Sequence, residues 1–126
     1  LTTLQVSPDG RSRAFAAWTG EGGSSTASLE VLSILGEQPQ VVHSAPRITL
    51  HAWTREGDLL FTAPVTGAHT PPLRLWSIPS TGGDPRDLRL EMRGLTGIRV
   101  SPDGTRLTFT AGFDGGEVRA LAHMAR

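Results

Sequence analysis

The sequence predicts an all-β protein: about three four-stranded antiparallel blades of a β-propeller, a fragment of a roughly six- to eight-bladed ring. Three observations carry that prediction. A Gly-closed turn motif recurs three times at equal spacing, each copy leads into a short strand ending on Phe, and turn-forming residues are spread between short apolar runs.

The three copies of the motif are Val6-Ser7-Pro8-Asp9-Gly10, Trp53-Thr54-Arg55-Glu56-Gly57 and Val100-Ser101-Pro102-Asp103-Gly104. Their glycines, at 10, 57 and 104, recur every 47 residues. Turn chemistry explains the residue types. Pro presets φ for the first corner, an acidic residue bonds its own backbone, and Gly supplies the positive φ that closes a tight hairpin. Pro8, Asp9, Gly10, Gly57, Pro102, Asp103 and Gly104 are therefore read as structural turn residues. The strand after each turn ends on Phe15, Phe61 or Phe109, and these three phenylalanines are assigned to the blade core, each buried between adjacent blades. A third run follows in each unit, at residues 29–34, 73–78 and 117–121, with a fourth, polar-edged run at 40–42 and 86–90. Two departures stand out. The middle unit has Arg55-Glu56 where the others have Pro-Asp and one residue fewer before its Phe, and Arg13 stands where the other units have Leu59 and Leu107.

Together with Leu75-Trp76-Ser77-Ile78-Pro79 ahead of Gly82-Gly83 and Pro85-Arg86, these repeats resemble those of the TolB-like, Pro-Asp-repeat (WD-like) β-propeller family over nearly the whole chain. The resemblance implies bacterial C-terminal blades that bind a protein or peptide at a loop rim or central channel. The units divide at 1–44, 45–93 and 94–126, the last lacking its outer strand. Ending there reads as the C-terminus of a propeller whose last blade the other chain terminus completes, and the start at Leu1-Thr2-Thr3 without an initiator Met reads as other than the native start. For residues 117–121 repeat phase favours a strand, although Val118, Leu121, Ala122 and Ala125 also share a helical face. Three blades fall short of a ring, so self-association to close the propeller is a further expectation.

Composition narrows the function. In 126 residues there are 12 basic and 12 acidic side chains, so no global field draws nucleic acid or an anionic membrane. No apolar run approaches the ~20 residues of a membrane span. All basic residues are Arg, and Lys, Asn, Tyr and Cys are absent, which reads as the codon bias of a GC-rich genome. Without Cys the redox compartment stays open, periplasm or cytoplasm.

The candidate chemistry is sparse. His43, His51, His69 and His123 form no paired ligand motif, so neither metal nor cofactor is expected. Ser7 and Ser101 belong to repeated turns, and no Gly-x-Ser-x-Gly elbow is present, so no catalytic residue is assigned within this segment. Residues 20–25 read as a hairpin tip and 114–117 as a tight turn. Trp53 and Trp76 fall in strand patterns and are assigned to the blade core. Trp18 and His69 adjoin the loops at 19–28 and 66–72, whose length and composition vary between units, and are assigned to partner binding. The expected function is a non-catalytic binding scaffold. The alternatives are the substrate-gating propeller of a prolyl oligopeptidase-type enzyme and the sensor propeller of a bacterial signalling protein.

Overall fold

A computed structural model describes residues 4–20, 26–36, 38–65, 72–93, 95–101, 106–113 and 116–123, and all its regular structure is β. The strands are β1 Gln5–Val6, β2 Ser12–Thr19, β3 Thr26–Ser33, β4 Gln40–Ala45, β5 Thr49–Trp53, β6 Asp58–Pro64, β7 Leu73–Pro79, β8 Arg86–Met92, β9 Leu95–Val100, β10 Arg106–Phe113 and β11 Gly116–His123. They form three antiparallel meanders: β1-β2-β3-β4, β5-β6-β7-β8 and β9-β10-β11. Residues 117–121, for which a helix was the rival, lie in strand β11. The first strands β1, β5 and β9 touch one another in sequence, so the meanders fan out from a shared inner edge.

Each motif turn closes the first hairpin of its sheet. The Ser7 N–H donates to the Ser12 carbonyl at 2.9 Å, the Thr54 N–H to that of Asp58 at 2.7 Å, and the Ser101 N–H to that of Arg106 at 2.9 Å. The middle turn is thus one residue shorter, which absorbs the missing residue without disturbing the strands. Gly10 and Gly57 have φ of 74° and 94°, the left-handed region that a Cβ disfavours. Pro102, Asp103 and Gly104 lie outside the described residues.

Successive side chains alternate between the faces of a strand, so every sheet has two rows to bury. Ala14, Ala16, Ala27 and Leu29 of the first sheet pack against Leu50, Leu59, Phe61 and Ile78 of the middle sheet, with Ile48 from the connection between them. Leu60 and Leu75, on the other face of the middle sheet, meet Leu95, Ile98, Leu107 and Phe109 of the third. Trp53 and Trp76 are half-buried against the first of these clusters. Face-to-face stacking of meanders around an inner edge is the packing of propeller blades.

The repeated phenylalanines do not share one environment. Phe61 is 1% exposed and Phe109 4%, whereas Phe15 is only half-buried. The reason is positional: Phe61 and Phe109 point at the preceding sheet, and Phe15 lies on the face of the first sheet that no other described sheet covers. Truncation should follow this difference. Phe61→Ala is expected to cost ~3–5 kcal/mol in urea unfolding, and Phe15→Ala roughly half of that or less. Equal losses at the two positions would contradict the face assignment.

Candidate functional site

The middle sheet presents two rims. One carries the motif turns together with the turns after the third strands, because the Ile34 N–H donates to the Arg11 carbonyl at 2.8 Å and the Ser80 N–H to that of Gly57 at 2.9 Å. The other carries the loops after the second strands, where the Val65 N–H donates to the Pro72 carbonyl at 3.0 Å and ties the neck of one loop.

On the turn rim the polar groups largely satisfy one another. Ser7 Oγ donates to Asp9 Oδ1 at 2.6 Å and accepts the Ser12 N–H at 3.0 Å, while the Arg11 N–H donates to the same Asp9 oxygen at 2.9 Å. The Ser7 hydroxyl first, and then the Arg11 N–H, hold the Asp9 carboxyl below its ordinary range. The side chains of Thr54 and Ser101 do the equivalent work in the other turns, accepting the Asp58 N–H at 2.9 Å and the Arg106 N–H at 3.0 Å. A cleft of about 270 Å³ runs between the first two turns, with Pro8, Asp9, Trp53, Arg55, Glu56 and Ser80 among its lining residues.

The loop rim is more aromatic. A cleft of about 230 Å³ is lined by Ala63, Pro64, Val65, Arg74 and Trp76. Ala63 and Trp76 extend the row of Leu59 and Phe61 that meets the first sheet. Across that joint, Trp18 extends the row of Ala14 and Ala16 and is 51% exposed, opposite the fully buried Ala27 in its register. The Arg74 guanidinium is held in place: Nε and Nη2 donate to Glu91 Oε1 at 3.0 and 2.6 Å, and Nη1 to Asp87 Oδ2 at 3.4 Å. Trp18 and Trp76 thus lie on the facing rows of this joint, Trp76 lining the cleft beside the clamped arginine. His69, the other residue assigned to partner binding, lies outside the described residues.

Two histidines occupy positions that periodicity did not single out. His51 is the extra residue of a β-bulge between Leu50 and Ala52, and its Nε2 lies 2.9 Å from Thr62 Oγ1. The bulge turns it to the face carrying Thr62 and Leu60. His43 packs on Phe61 across the first joint, the rings tilted by 38° with centroids 5.1 Å apart. Burial lowers the pKa of both imidazoles, that of His51 to about 4. Among the described residues no three His, Asp or Glu side chains are grouped to hold a metal.

The His51 shift makes stability pH-dependent with a defined sign. A histidine whose folded pKa lies below its unfolded value of about 6.5 binds more protons when unfolded, so stability falls as pH drops from there towards 4. The loss should approach ~3 kcal/mol. Unfolding curves at pH 7 and pH 4.5 are expected to lie closer together in His51→Gln than in the parent. An unchanged gap would exclude His51 as the group responsible.

Three stacked antiparallel meanders with a common inner edge define the class of the molecule: it is a run of blades from a β-propeller. The family itself follows from sequence, because residues 1–122 match the family described as the lipoprotein LpqB beta-propeller domain, and the chain belongs to that family. Solved structures agree on the fold. TolB from Acinetobacter baumannii superposes with a TM-score of 0.71 at 17% identity, over 96% of this chain and 29% of that one. A putative TolB from Agrobacterium tumefaciens gives 0.74 at 18% identity, over 94% and 40%. An oligogalacturonate lyase in complex with manganese gives 0.70 at 12% identity, over 96% and 37%. The chain therefore spans between 29% and 40% of the length of these propellers. No curated protein matches it in sequence.

Proposed function

We propose that these blades are a non-catalytic scaffold that binds a protein or peptide partner at the loop rim. The observation carrying this reading is the exposed aromatic end of the joint between the first two sheets. Trp18 stands 51% exposed there, on the same joint as the half-buried Trp76 and the adjoining cleft. Aromatic side chains beside a fixed arginine are the residue types that dominate binding energy at protein interfaces, because they offer large contact area at little entropic cost. Arg74, already paired with Asp87 and Glu91, orders the floor of the cleft without further loss of freedom.

The turn rim suits a structural role better. Its hydroxyls and the Asp9 carboxylate are committed to bonds within the turns. The family's description, the propeller domain of a lipoprotein, supports a setting in the cell envelope for such a scaffold.

Peptides selected from a displayed library against the purified protein test this reading. Trp18→Ala is expected to weaken the selected peptides about tenfold or more, which is ~1.4 kcal/mol or more, with the unfolding midpoint unchanged. Binding that is indifferent to Trp18→Ala would place the recognition surface elsewhere and reject the proposal.

A further inference from the structure

The turn after the third strand is built alike in the first two sheets, yet its side chains differ in kind. In the middle sheet it is Pro79-Ser80-Thr81-Gly82: the Gly82 N–H donates to the Pro79 carbonyl at 2.9 Å, and the Ser80 N–H to that of Gly57 at 2.9 Å. In the first sheet it is Ser33-Ile34-Leu35-Gly36, closed by the Gly36 N–H on the Ser33 carbonyl at 3.0 Å and tied to the motif turn by the Ile34 N–H on the Arg11 carbonyl at 2.8 Å. The Ser33 hydroxyl also accepts the Leu35 N–H at 3.3 Å. Where the middle turn carries a serine and a threonine, the first holds out Ile34 at 68% exposure and Leu35 at 92%. Stacking of a neighbouring sheet does not reach this tip, because Thr81 is exposed although the first sheet covers its own.

A cleft of about 160 Å³ opens beside the tip, and Arg11, Ser12, Arg13 and Ser33 form its polar lining, with no carboxylate among the lining residues. Both arginines are exposed, and among the described residues neither guanidinium is in an ion pair. The neighbouring carboxylate, Asp9, is engaged by the Ser7 hydroxyl and the Arg11 N–H.

We propose that this corner of the turn rim rests on an anionic lipid surface, with Ile34 and Leu35 entering the boundary between headgroups and acyl chains and Arg11 and Arg13 donating to lipid phosphates. Guanidinium and phosphate match in charge and in paired hydrogen bonds, and the aliphatic tip supplies the apolar half of the contact. A protein partner fits less well. Protein interfaces centre on aromatic anchors in packed patches, whereas here two aliphatic side chains project from a tight turn among cations and hydroxyls. The whole chain has no net charge, so the attraction is local. A contact of this size is weak and reversible, and it orients a molecule already held at a membrane, the envelope setting proposed above. It lies on the rim opposite the loop rim, so the partner surface faces away from the lipid.

Leu35→Cys and, at the same place in the middle sheet, Thr81→Cys as reference are made in the complete polypeptide, without attached lipid and with any other cysteine replaced by serine. Each is labelled with a polarity-sensitive fluorophore. On equimolar phosphatidylglycerol and phosphatidylcholine vesicles the Leu35→Cys label is expected to shift to the blue and to be quenched by nitroxide lipids, with an affinity at least about fivefold above that for phosphatidylcholine alone. The Thr81→Cys label stays as in water. Arg11→Gln, which keeps the main-chain bonds of the turn, is expected to remove most of that preference. Equal responses at the two positions, equal affinity for the two vesicles, or a preference indifferent to Arg11→Gln overturns the proposal. Silence of the Leu35→Cys label towards both vesicles overturns it and leaves the tip to a protein. A blue shift that grows with protein concentration in the absence of vesicles overturns it by assigning the tip to a second copy.

Discussion

A serine or threonine hydroxyl at the first residue of each motif turn accepts the N–H that closes the turn: Ser7 from Ser12, Thr54 from Asp58 and Ser101 from Arg106. With the main-chain bond in the opposite direction between the same residues, this clamp fixes the register of the first and second strands. Register decides everything downstream, because side chains alternate with period two and a slip of one residue would exchange the faces. Phe61 would then leave the first joint and Leu60 the second. The clamp also explains how the middle blade dispenses with Pro-Asp. In the longer turn Asp9 spans the extra residue by accepting from Ser7 and Arg11, and in the shorter turn at Thr54 the same hydroxyl bond closes the hairpin one residue sooner.

The inner strands depart from ideal pairing where the blades converge. Register shifts fall between Leu50 and Ala52 of β5 and, in β9, opposite the step from Thr108 to Thr110. A bulge adds local twist and bends its strand, which suits strands crowded at an inner edge. The two bulges are filled differently. In β9 Gly97 has φ of 61° and runs close to Thr110, 3.4 Å from where a Cβ would meet its hydroxyl. In β5 the extra residue is His51, bonded to Thr62, which holds the place of Thr110 in the repeat. A neutral imidazole fits that half-enclosed site, and protonation there meets the cost of burial.

The propeller architecture was legible in the sequence because it rests on local signals repeated in phase. The 47-residue beat of the turn glycines locates the hairpins, and hydrophobic alternation locates the strands. Which face each residue takes was less legible. Phe15 reads like Phe61 and Phe109, and only the stacking order of the sheets shows that it points away from the others. The bulges were invisible, since one inserted residue in a short strand leaves no periodicity to detect, and with them the His51–Thr62 contact was missed. The clamp of Arg74 on Asp87 and Glu91 could have been found. Arg74 and Asp87 fall in the neighbouring third and fourth runs, but Glu91 lies past the end of the fourth run and comes into register with Arg74 only through a further shift between Arg74 and Trp76.

The two rims differ in how much freedom their chemistry leaves. On the turn rim the hydroxyls of Ser7, Thr54 and Ser101 and the Asp9 carboxylate have work within the hairpin, so a change there is felt in strand register before it is felt by a partner. Among the described residues the loop rim shows no such common bond. The neck at Val65 and Pro72 closes one loop, and the hairpin beyond Trp18 is joined at Thr19 and Thr26 by strand pairing. Loops hung from fixed strands can change length and composition while the joint beneath them stays packed. Trp18 is placed where these regimes meet: its row is the buried row of Ala14 and Ala16, yet its own position has emerged from the joint. The rigidity of the stacked sheets thereby reaches a surface whose identity the loops decide, which is the physical arrangement a binding scaffold requires.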